Sequence, residues 1–411
     1  MNERPTVHWT EGTGERSARW RSESGARPPR RIVVADDRTT ADAAYKLACE
    51  GTALLWRGDF HGARQMLAAL TRRVDRKART ARRPGAARGR ARATAPATGP
   101  AAAPSGGPPA AESCGGPSAA AAFHRHRARQ AQRARILGML LVPLEGDHTV
   151  PLRRAPDVVA ACEEAYGPPD GEPALVSLRE LLGLIGAHEW HRTGVPVPAL
   201  GGDRVHPCYG VFSPARGEYV DLVAEAPLPP GGTESAFDVG TGTGVLAAVL
   251  ARRGVRHVTG TDQDPRALEC ARENLRRLGV TGAVRVVRAD LFPEGRAPLV
   301  VCNPPWLPAR PSSSVEQAVY DPGSRMLRGF LAGLPAHLEP GGEGWLVLSD
   351  LAEHLGLRGR EELLGWIDEA GLRVLGRITT RPRHPRASDP DDPLHAARAA
   401  EVTSLWRLAA A

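Results

Sequence analysis

Three kinds of segment are missing from the sequence of 411 residues, and each absence excludes a class of protein. No apolar run reaches the roughly 18 residues of a membrane-spanning helix, so no contact with a membrane is expected. The first residues, MNERPTVHWTEGTGER, lack the apolar core of a signal peptide, and we expect a cytoplasmic location. No CxxC pair and no metal-type cysteine spacing occurs, which predicts reduced thiols, no disulfide framework and no metal site. The six cysteines are Cys49, Cys114, Cys162, Cys208, Cys270 and Cys302.

Lysine is almost absent, and the basic charge is unevenly distributed. Only Lys46 and Lys77 are lysines among the 54 basic residues. Residues 1–150 carry 26 basic and 13 acidic residues, whereas residues 151–411 carry 28 and 33. Ten basic residues and one acid lie in the stretch 72–92. Such an arm indicates either a contact with nucleic acid or a solvated tail.

Changes in composition along the chain predict five segments. Residues 1–31 are polar and irregular, which is typical of a disordered tail. Leucines at helical spacing between Thr40 and Arg79, Leu54 and Leu55 among them, predict a helical hairpin. The predicted segments are a disordered tail at 1–31, a helical hairpin at 32–83, a basic to Ala/Pro/Gly-rich linker at 84–121, a helical substrate domain with a β-hairpin at 122–229, and a larger domain at 230–411. The β-hairpin is expected in VHPCYGVFSPARGEYVDLV, residues 205–223.

The fold class follows from the part of the chain after Ala236. Seven apolar stretches there are strand candidates, namely AFDVG, HVTGTD, VRVVRAD, PLVVCN, GEGWLVLSD, LRVLGRITT and EVTSLWRL. Helical stretches separate or follow the first five, and this alternation predicts an α/β domain with a parallel sheet covered on both faces. No clear helix separates the last two, so a closing antiparallel pair is expected. The smaller domain before this sheet is expected to be mostly helical.

A glycine-rich turn follows the first of these strands. In FDVGTGTGVLAAVLARRG, Gly240, Gly242 and Gly244 allow the backbone to pass close to a ligand and to pack tightly on the next helix. Val245 stands where a dinucleotide fingerprint would have its third glycine, so the match to a nicotinamide-binding loop is poor. The loop by itself is compatible with nucleotide-type binding or with a merely tight turn.

Two acids at strand ends favour the binding interpretation. Asp262 closes the second strand about 20 residues after the loop, where a carboxylate typically accepts hydrogen bonds from ribose hydroxyls. Asp290 closes the third strand and is placed to accept from an adenine amino group. The alternative is that such acids cap the following helices, which is our expectation for Asp264 before Pro265.

The stretch LVVCNPPWLP, residues 299–308, ends an apolar strand in a stiff polar step. Two consecutive prolines fix two φ angles and remove two backbone donors, so whatever Asn303 and Pro304 expose is held rigidly. The alternative is a strand terminator with a core tryptophan, Trp306.

At these residues the sequence resembles the class I S-adenosylmethionine-dependent methyltransferases, in the branch that methylates nitrogen and carries an Asn/Asp-Pro-Pro-aromatic motif. The runs DVGTGTG, TDQDPRALECARENL, RADLF and NPPW carry the likeness, which covers about residues 205–411. It implies a Rossmann-like seven-stranded methyltransferase sheet and the cofactor S-adenosylmethionine. The cofactor-binding residues that it implies are Asp238, Gly240, Thr241, Gly242, Thr243, Gly244, Asp262, Asp290, Leu291 and Asn303.

The same resemblance assigns the chemistry to Asn303, Pro304, Pro305 and Trp306. The Asn303 side-chain oxygen and the Pro304 carbonyl would accept hydrogen bonds from an NH₂ group and localise its lone pair, while Trp306 would stack on the flat target. No strong base is required, because the methylated nitrogen loses its proton easily.

The resemblance leaves the methyl acceptor open among three interpretations. The chain resembles the release-factor glutamine methyltransferases, with Glu218 at their acidic hairpin position, which implies a protein amide of the translation machinery. The short motif also fits methylases of adenine or guanine amino groups, and the basic arm would then contact RNA or DNA. The third interpretation is a module that binds the cofactor without catalysis, against which the intact motif argues.

Overall fold

The computed structural model describes residues 5–80, 118–215, 217–311, 316, 318–383, 389–390 and 392–411. These residues form two large β-sheets with helices packed on them. Most of the predicted linker, residues 84–117, lies outside the described residues, as does the part of the basic arm from residue 81 onward. No helix among the described residues is long and apolar enough to cross a membrane.

The first sheet has six strands in the order β1-β2-β6-β5-β4-β3 and mixes parallel and antiparallel pairs. Its strands are β1 (Thr6–Glu11), β2 (Gly14–Arg21), β3 (Arg31–Ala35), β4 (Thr52–Trp56), β5 (Leu140–Leu144) and β6 (Ala174–Ser177). Five helices accompany it, namely α1 (Ala41–Cys49), α2 (Phe60–Thr80), α3 (Ala119–Leu137), α4 (Val159–Tyr166) and α5 (Leu178–Thr193). The predicted helices are present in this part of the chain, but the prediction of a mostly helical first domain did not include the six-stranded sheet on which they pack.

The predicted disordered tail contains the hairpin of β1 and β2, so that prediction is wrong for residues 6–21. Strand β1 alternates between exposed and buried side chains, and the buried residues of β2 lie in its second half. Val7, Trp9 and Trp20 pack against Leu55 and other residues of the sheet. Most of the exposed residues of these strands are polar or charged, so the few apolar positions between them did not indicate strands in the sequence.

The predicted helical hairpin at 32–83 is a β-α-β-α unit, with β3 and β4 parallel. Leu54 and Leu55 belong to β4 and are fully buried. A short apolar run buried on both faces cannot be assigned to helix or strand from its periodicity alone, which explains the error.

The segment 122–229 contains two strands of the first sheet, β5 and β6, in addition to its helices. The described residues of 205–223 form no β-hairpin, because the stretch predicted as its second arm belongs to helix α6 (Glu218–Glu225). A short pair, β7 (Val195–Pro196) and β8 (Arg204–Val205), precedes it. The division into domains at 83, 121 and 229 stays a prediction.

The second sheet confirms the seven predicted strands and the α/β class. Its order is β11-β10-β9-β12-β13-β15-β14, and β15 pairs antiparallel with both of its neighbours. The strands are β9 (Ser235–Val239), β10 (His257–Asp262), β11 (Val284–Arg288), β12 (Ala297–Cys302), β13 (Leu338–Ser349), β14 (Leu372–Thr380) and β15 (Thr403–Ala410). The helices are α7 (Val245–Arg252), α8 (Pro265–Arg277), α9 (Arg325–His337), α10 (Leu351–His354), α11 (Arg360–Glu369) and α12 (His395–Ala400).

Strand β12 lies near the centre of this sheet and is buried along its whole length. Leu299 and Val301 face one apolar layer, which includes α6 and α7, and Val300 and Cys302 face the other, which includes α9 and α11. Because β9 is flanked by β10 on one side and β12 on the other, the order of strands reverses between β9 and β12. Ligands of open α/β sheets bind at this switch point, beyond the carboxyl ends of the strands.

Candidate active site

Three segments that contain predicted site residues follow neighbouring strands of the second sheet and begin at the same edge of it. Val239, the last residue of β9, pairs with Cys302 of β12 and with Thr261 of β10. The next residues along the three strands are Gly240, Asn303 and Asp262. The parallel register therefore brings the glycine loop, the NPPW motif and the Asp262 carboxylate to one edge of the sheet.

The glycine loop follows β9 and has a backbone that other residues rarely adopt. Gly240, Gly242 and Gly244 have φ angles of 73°, 53° and 81°. A Cβ atom at Gly240 would lie 2.6 Å from Met326 Cε, and one at Gly244 would lie 3.3 Å from the Ala271 Cβ. A Cβ at Gly242 would have no neighbour within 4 Å, so the space over Gly242 is open to a ligand. The loop thus has a cradle on one side and tight packing on the other.

Asp238 supports this loop from inside the sheet. Its Oδ2 accepts hydrogen bonds from Thr241 Oγ1 at 2.7 Å and from the Ala247 N–H at 3.0 Å. Burial raises the pKa of Asp238 to about 6, although both hydrogen bonds lower it. Thr241 and Thr243 are also buried. A direct contact of these three residues with a cofactor stays a prediction.

Asp262 closes the loop from the neighbouring strand. Its Oδ2 accepts from the Gly242 N–H at 3.1 Å, and its Oδ1 accepts from the Asp264 N–H at 3.0 Å. Burial raises the pKa of Asp262, against these hydrogen bonds. Asp264 caps α8 by accepting from the Arg266 N–H at 2.9 Å, as the sequence predicts. The ribose role predicted for Asp262 is compatible with its position beside Gly242.

Asp290 and Leu291 follow β11 at the same edge of the sheet. The Ala289 N–H donates to the Asp262 carbonyl at 3.2 Å, which ties this turn to β10. Leu291 has a φ of 77°, unusual for a residue with a side chain, and the Thr261 hydroxyl donates to its carbonyl. The Asp290 side chain is exposed.

The motif after β12 contains a contact that the sequence does not predict. Trp306 Nε1 donates a hydrogen bond to Asn303 Oδ1 at 2.9 Å. The indole ring is half-buried and packs between the apolar layers on the two sides of the sheet. Because an amide oxygen can accept two hydrogen bonds, Asn303 keeps one acceptor position while its orientation is fixed. Pro304 is buried, and Pro305 is half-buried.

The chain after the motif returns to it and begins α9. The Asp321 N–H donates to the Leu307 carbonyl at 2.8 Å. Asp321 Oδ2 accepts from the N–H groups of Met326 and Leu327, which places Met326 against Gly240. Sequence reasoning missed Asp321 and Met326, although the Asp-Pro-Gly turn at 321–323 signals a helix start.

Helix α3 borders this returning segment. Arg127 lies over the Tyr320 ring, 4.0 Å from its centroid, and pairs with Glu316 at 3.2 Å. Phe123 is buried in an apolar cluster that includes Leu307. A basic helix of the amino-terminal part therefore contacts the residues next to the NPPW motif.

Asn274 on α8 is a further support that the sequence did not reveal. Its Nδ2 donates to the Thr243 carbonyl at 3.1 Å and to the His206 carbonyl at 3.0 Å, and its Oδ1 accepts from the His206 N–H at 2.7 Å. The side chain is fully buried. It therefore joins the glycine loop, at Thr243, to the segment around His206 that precedes the second sheet.

We expect Asn274→Ala to lower the free energy of unfolding by about 1–3 kcal/mol, because buried backbone groups of Thr243 and His206 lose their partner. Urea denaturation measures the loss. Gln65→Ala, which truncates an exposed amide on α2, is the matched control and should change stability by less than about 0.5 kcal/mol. Equal stability of Asn274→Ala and the control would contradict the supporting role.

Glu218, which the sequence places in a hairpin, is the first residue of α6 instead. It is buried, and its Oε1 has no hydrogen-bond partner among the described residues. The acidic hairpin predicted before the glycine loop is therefore replaced by a buried helix start.

Comparison with known proteins finds similar sequences for the part of the chain that contains the second sheet. A family model described as "Methyltransferase small domain" matches residues 204–356. The chain is 33% identical over 184 residues to a ribosomal RNA small subunit methyltransferase C of Alcanivorax borkumensis, across 43% of this chain and 50% of the relative. It is 51% identical over 76 residues to a ribosomal protein L11 methyltransferase of Pelotomaculum thermopropionicum, across 18% of this chain and 24% of the relative.

A third relative is described as a putative protein N5-glutamine methyltransferase of Methanocaldococcus jannaschii. It is 26% identical over 149 residues, across 34% of this chain and 72% of the relative. The chain spans half or less of the length of the two relatives named before it. The matched region includes the glycine loop, Asp262, Asp290 and the NPPW motif. Residues 204–356 of this chain therefore match a methyltransferase small domain, and the relatives that they resemble are S-adenosylmethionine-dependent methyltransferases.

Proposed function

We propose that this chain is an N-methyltransferase that acts on a planar amide or amine nitrogen of a macromolecule. The observation that carries the proposal is the position of Asn303. This residue directly follows β12, at the level where the glycine loop follows β9, and its side-chain oxygen accepts a hydrogen bond from Trp306. An oriented acceptor beside a cofactor loop is what methylation of a weakly nucleophilic nitrogen requires.

The loop and strand ends fit S-adenosylmethionine. Open space over Gly242 allows a ligand to approach the backbone, and Asp262 and Asp290 offer carboxylates for the ribose hydroxyls and the adenine amino group. Leu291, whose backbone has the left-handed conformation, follows Asp290 and adds an apolar side chain at the same edge of the sheet. When bound, S-adenosylmethionine supplies an electrophilic methyl group.

Asn303 and Pro304 prepare the acceptor nitrogen. Two N–H groups of the acceptor donate to Asn303 Oδ1 and to the Pro304 carbonyl, which localises the nitrogen lone pair and fixes its direction. Alignment of reacting groups in this way contributes up to about 7–11 kcal/mol in well-oriented systems. Trp306 presents its indole face to a flat target while its N–H holds Asn303. The methylated nitrogen gives up its proton to water, so the chain supplies no base.

The first candidate acceptor is a protein amide, the glutamine side chain of a translation protein. One relative is described as a putative protein N5-glutamine methyltransferase, and another is described as acting on ribosomal protein L11. A primary amide has two N–H groups on one nitrogen, which match the two acceptors of the motif.

The second candidate acceptor is an amino group of an RNA or DNA base, and the position of α3 favours it. Arg125, Arg129 and Arg135 are exposed on this helix, which contacts the segment after the NPPW motif through Phe123 and Arg127. One relative is described as a ribosomal RNA methyltransferase. A basic surface beside the acceptor site would attract phosphates.

The acceptor class is tested by methyl transfer from labelled S-adenosylmethionine to fractionated lysate, treated with protease in one arm and nuclease in another. Label that protease removes supports the protein amide, and label that nuclease removes supports the base. No incorporation into any fraction would contradict the enzyme proposal and favour a module that only binds the cofactor.

If the acceptor is a nucleic acid, we expect the double variant Arg125→Glu/Arg129→Glu to flatten the dependence of binding on salt. The slope of log affinity against log salt should fall by about 2, since each phosphate contact contributes about 1. Arg38→Glu/Arg373→Glu makes the same charge change at exposed positions away from α3 and is the control. Equal slopes for the two double variants would remove α3 from the binding surface.

We also propose a cytoplasmic location. Cys49, Cys162, Cys208, Cys270 and Cys302 are all free thiols, which is the state that a reducing compartment maintains.

A further inference from the structure

A cluster of metal-ligating side chains lies where the amino-terminal helices meet the methyltransferase domain. Glu164 comes from α4, and His188 and His191 come from α5. Cys208 lies in the segment after β8, and Glu273 lies on α8. None of these residues belongs to the glycine loop or to the NPPW motif.

His191 is at the centre of this cluster. Its Nδ1 lies 3.1 Å from Glu164 Oε1. Its Nε2 lies 3.3 Å from Glu273 Oε2 and 3.8 Å from Cys208 Sγ. The ligand atoms of His191, Cys208 and Glu273 all lie within 4.8 Å of one another.

The two distances from His191 Nε2 are close to those between ligands of one small cation. Zinc binds nitrogen and oxygen at about 2.0–2.2 Å and thiolate sulfur at about 2.3 Å, in tetrahedral geometry. Two tetrahedral ligands at these lengths lie about 3.3–3.6 Å apart. The His191–Glu273 distance agrees with this range, and the His191–Cys208 distance exceeds it by a few tenths of an ångström.

The surrounding contacts orient two of the three ligands, His191 and Glu273. Glu164 holds Nδ1 of His191, as a carboxylate typically does for a metal-bound histidine, and this leaves Nε2 as the ligand atom. Glu164 is itself fixed by His188 Nδ1 at 2.9 Å and by the Tyr209 N–H at 2.8 Å. Arg277 engages the Oε1 of Glu273 and leaves its Oε2 facing His191.

The Cys208 thiol is half-buried, and its backbone N–H donates to Cys270 Sγ at 3.2 Å. The side chains of His191 and Glu273 are 20% and 26% exposed. This exposure leaves a route for an ion to enter and room for water as a fourth ligand.

We propose that His191 Nε2, Cys208 Sγ and Glu273 Oε2 bind a divalent transition metal of the zinc type. The donor set of imidazole, thiolate and carboxylate suits zinc and excludes magnesium or calcium, which prefer all-oxygen sites. The ligands come from α5, from the segment before α6 and from α8, so the ion fastens the amino-terminal helices to the methyltransferase domain. The alternative is a metal-free cluster in which His191 only bridges two carboxylates.

Metal content of the full chain tests the site directly. We expect protein purified with added zinc and then dialysed to retain one zinc ion per chain by elemental analysis. Cobalt in place of zinc should give the visible bands of a tetrahedral ion and a thiolate-to-cobalt band in the near ultraviolet. Removal of the metal with a chelator should lower the melting temperature, because the folded state loses a ligand.

Cys208→Ser should abolish the thiolate-to-cobalt band and lower zinc retention at least about tenfold, with circular dichroism unchanged. Glu273→Gln provides a second variant in case Cys208→Ser fails to fold, and it should lower zinc retention similarly. Cys49→Ser, at an exposed cysteine on α1, is the matched control and should keep both signals. Because metal content is read without methyl transfer, the result is independent of the proposed activity.

Two results would overturn the proposal. One is a folded wild-type protein that retains no zinc and gives no cobalt spectrum, which would leave only the hydrogen-bonded cluster. The other is loss of zinc in His188→Ala but not in Cys208→Ser. That pattern would move the ion to the neighbouring group of Glu164, His188 and His191.

Discussion

Asn303→Ala should lose methyl transfer by about two to three orders of magnitude, the scale seen when one preorganised polar contact is removed. In the proposed mechanism the Asn303 oxygen acts on the acceptor nitrogen chiefly in the transition state, so the fold and most of the affinity for S-adenosylmethionine should persist. Single-turnover transfer to the acceptor that the lysate assay identifies measures the first quantity, and calorimetry measures the second.

Asn303→Asp is the finer variant, because a carboxylate also accepts hydrogen bonds, and partial activity should survive in it. Gln65→Ala removes an exposed amide from α2 and should transfer methyl at the wild-type rate. Near wild-type turnover of Asn303→Ala would reduce the NPPW motif to a stiff strand ending. The N-methyltransferase proposal would then fail with it.

Asp262→Ala should weaken the binding of S-adenosylmethionine about 10- to 150-fold, as expected for loss of a charge-assisted hydrogen bond worth about 1.5–3 kcal/mol. The structure adds a second reason for a large effect. The Asp262 carboxylate also accepts from the Gly242 N–H, so its removal frees the loop that we propose to contact the cofactor. Titration calorimetry with the cofactor or its demethylated product measures the change.

Asp264→Ala is the matched control for this variant, because it removes a carboxylate two residues away whose contact is the cap of α8. It should cost about 1 kcal/mol of stability and leave cofactor affinity almost unchanged. Equal weakening in Asp262→Ala and Asp264→Ala would point to a general loss of structure near α8. Equal binding by Asp262→Ala and the wild type would remove its ribose role.

The seven strands of the second sheet could be predicted from the sequence because their signals are local. Each apolar run is short and bounded by glycine, proline or an acid, and helical stretches separate or follow most of them. The cap of α8 at Asp264 was predictable for the same reason, since it depends on residues next to each other in the chain.

The first sheet was missed because its strands are identified by distant partners. β4 pairs with β5 although about 85 residues separate them, and β2 pairs with β6 across an even longer stretch of chain. The leucines of β4 are compatible with a helix until β3 and β5 are placed beside them. The tryptophans of β1 and β2 become core residues only when the sheet lies beneath them.

Local patterns in the sequence were enough to predict the α/β class, the seven-stranded sheet and the residues of the glycine loop, the strand-end acids and the NPPW motif. Those features depend on the period of apolar residues and on turn chemistry, which act over a few residues. The folded structure was needed to show that Trp306 donates to Asn303, that Met326 lies against Gly240, and that His191 lies beside Cys208 and Glu273. These contacts join side chains whose separation along the chain carries no local signal, because hydrogen bonding and packing act wherever the folded backbone brings atoms together.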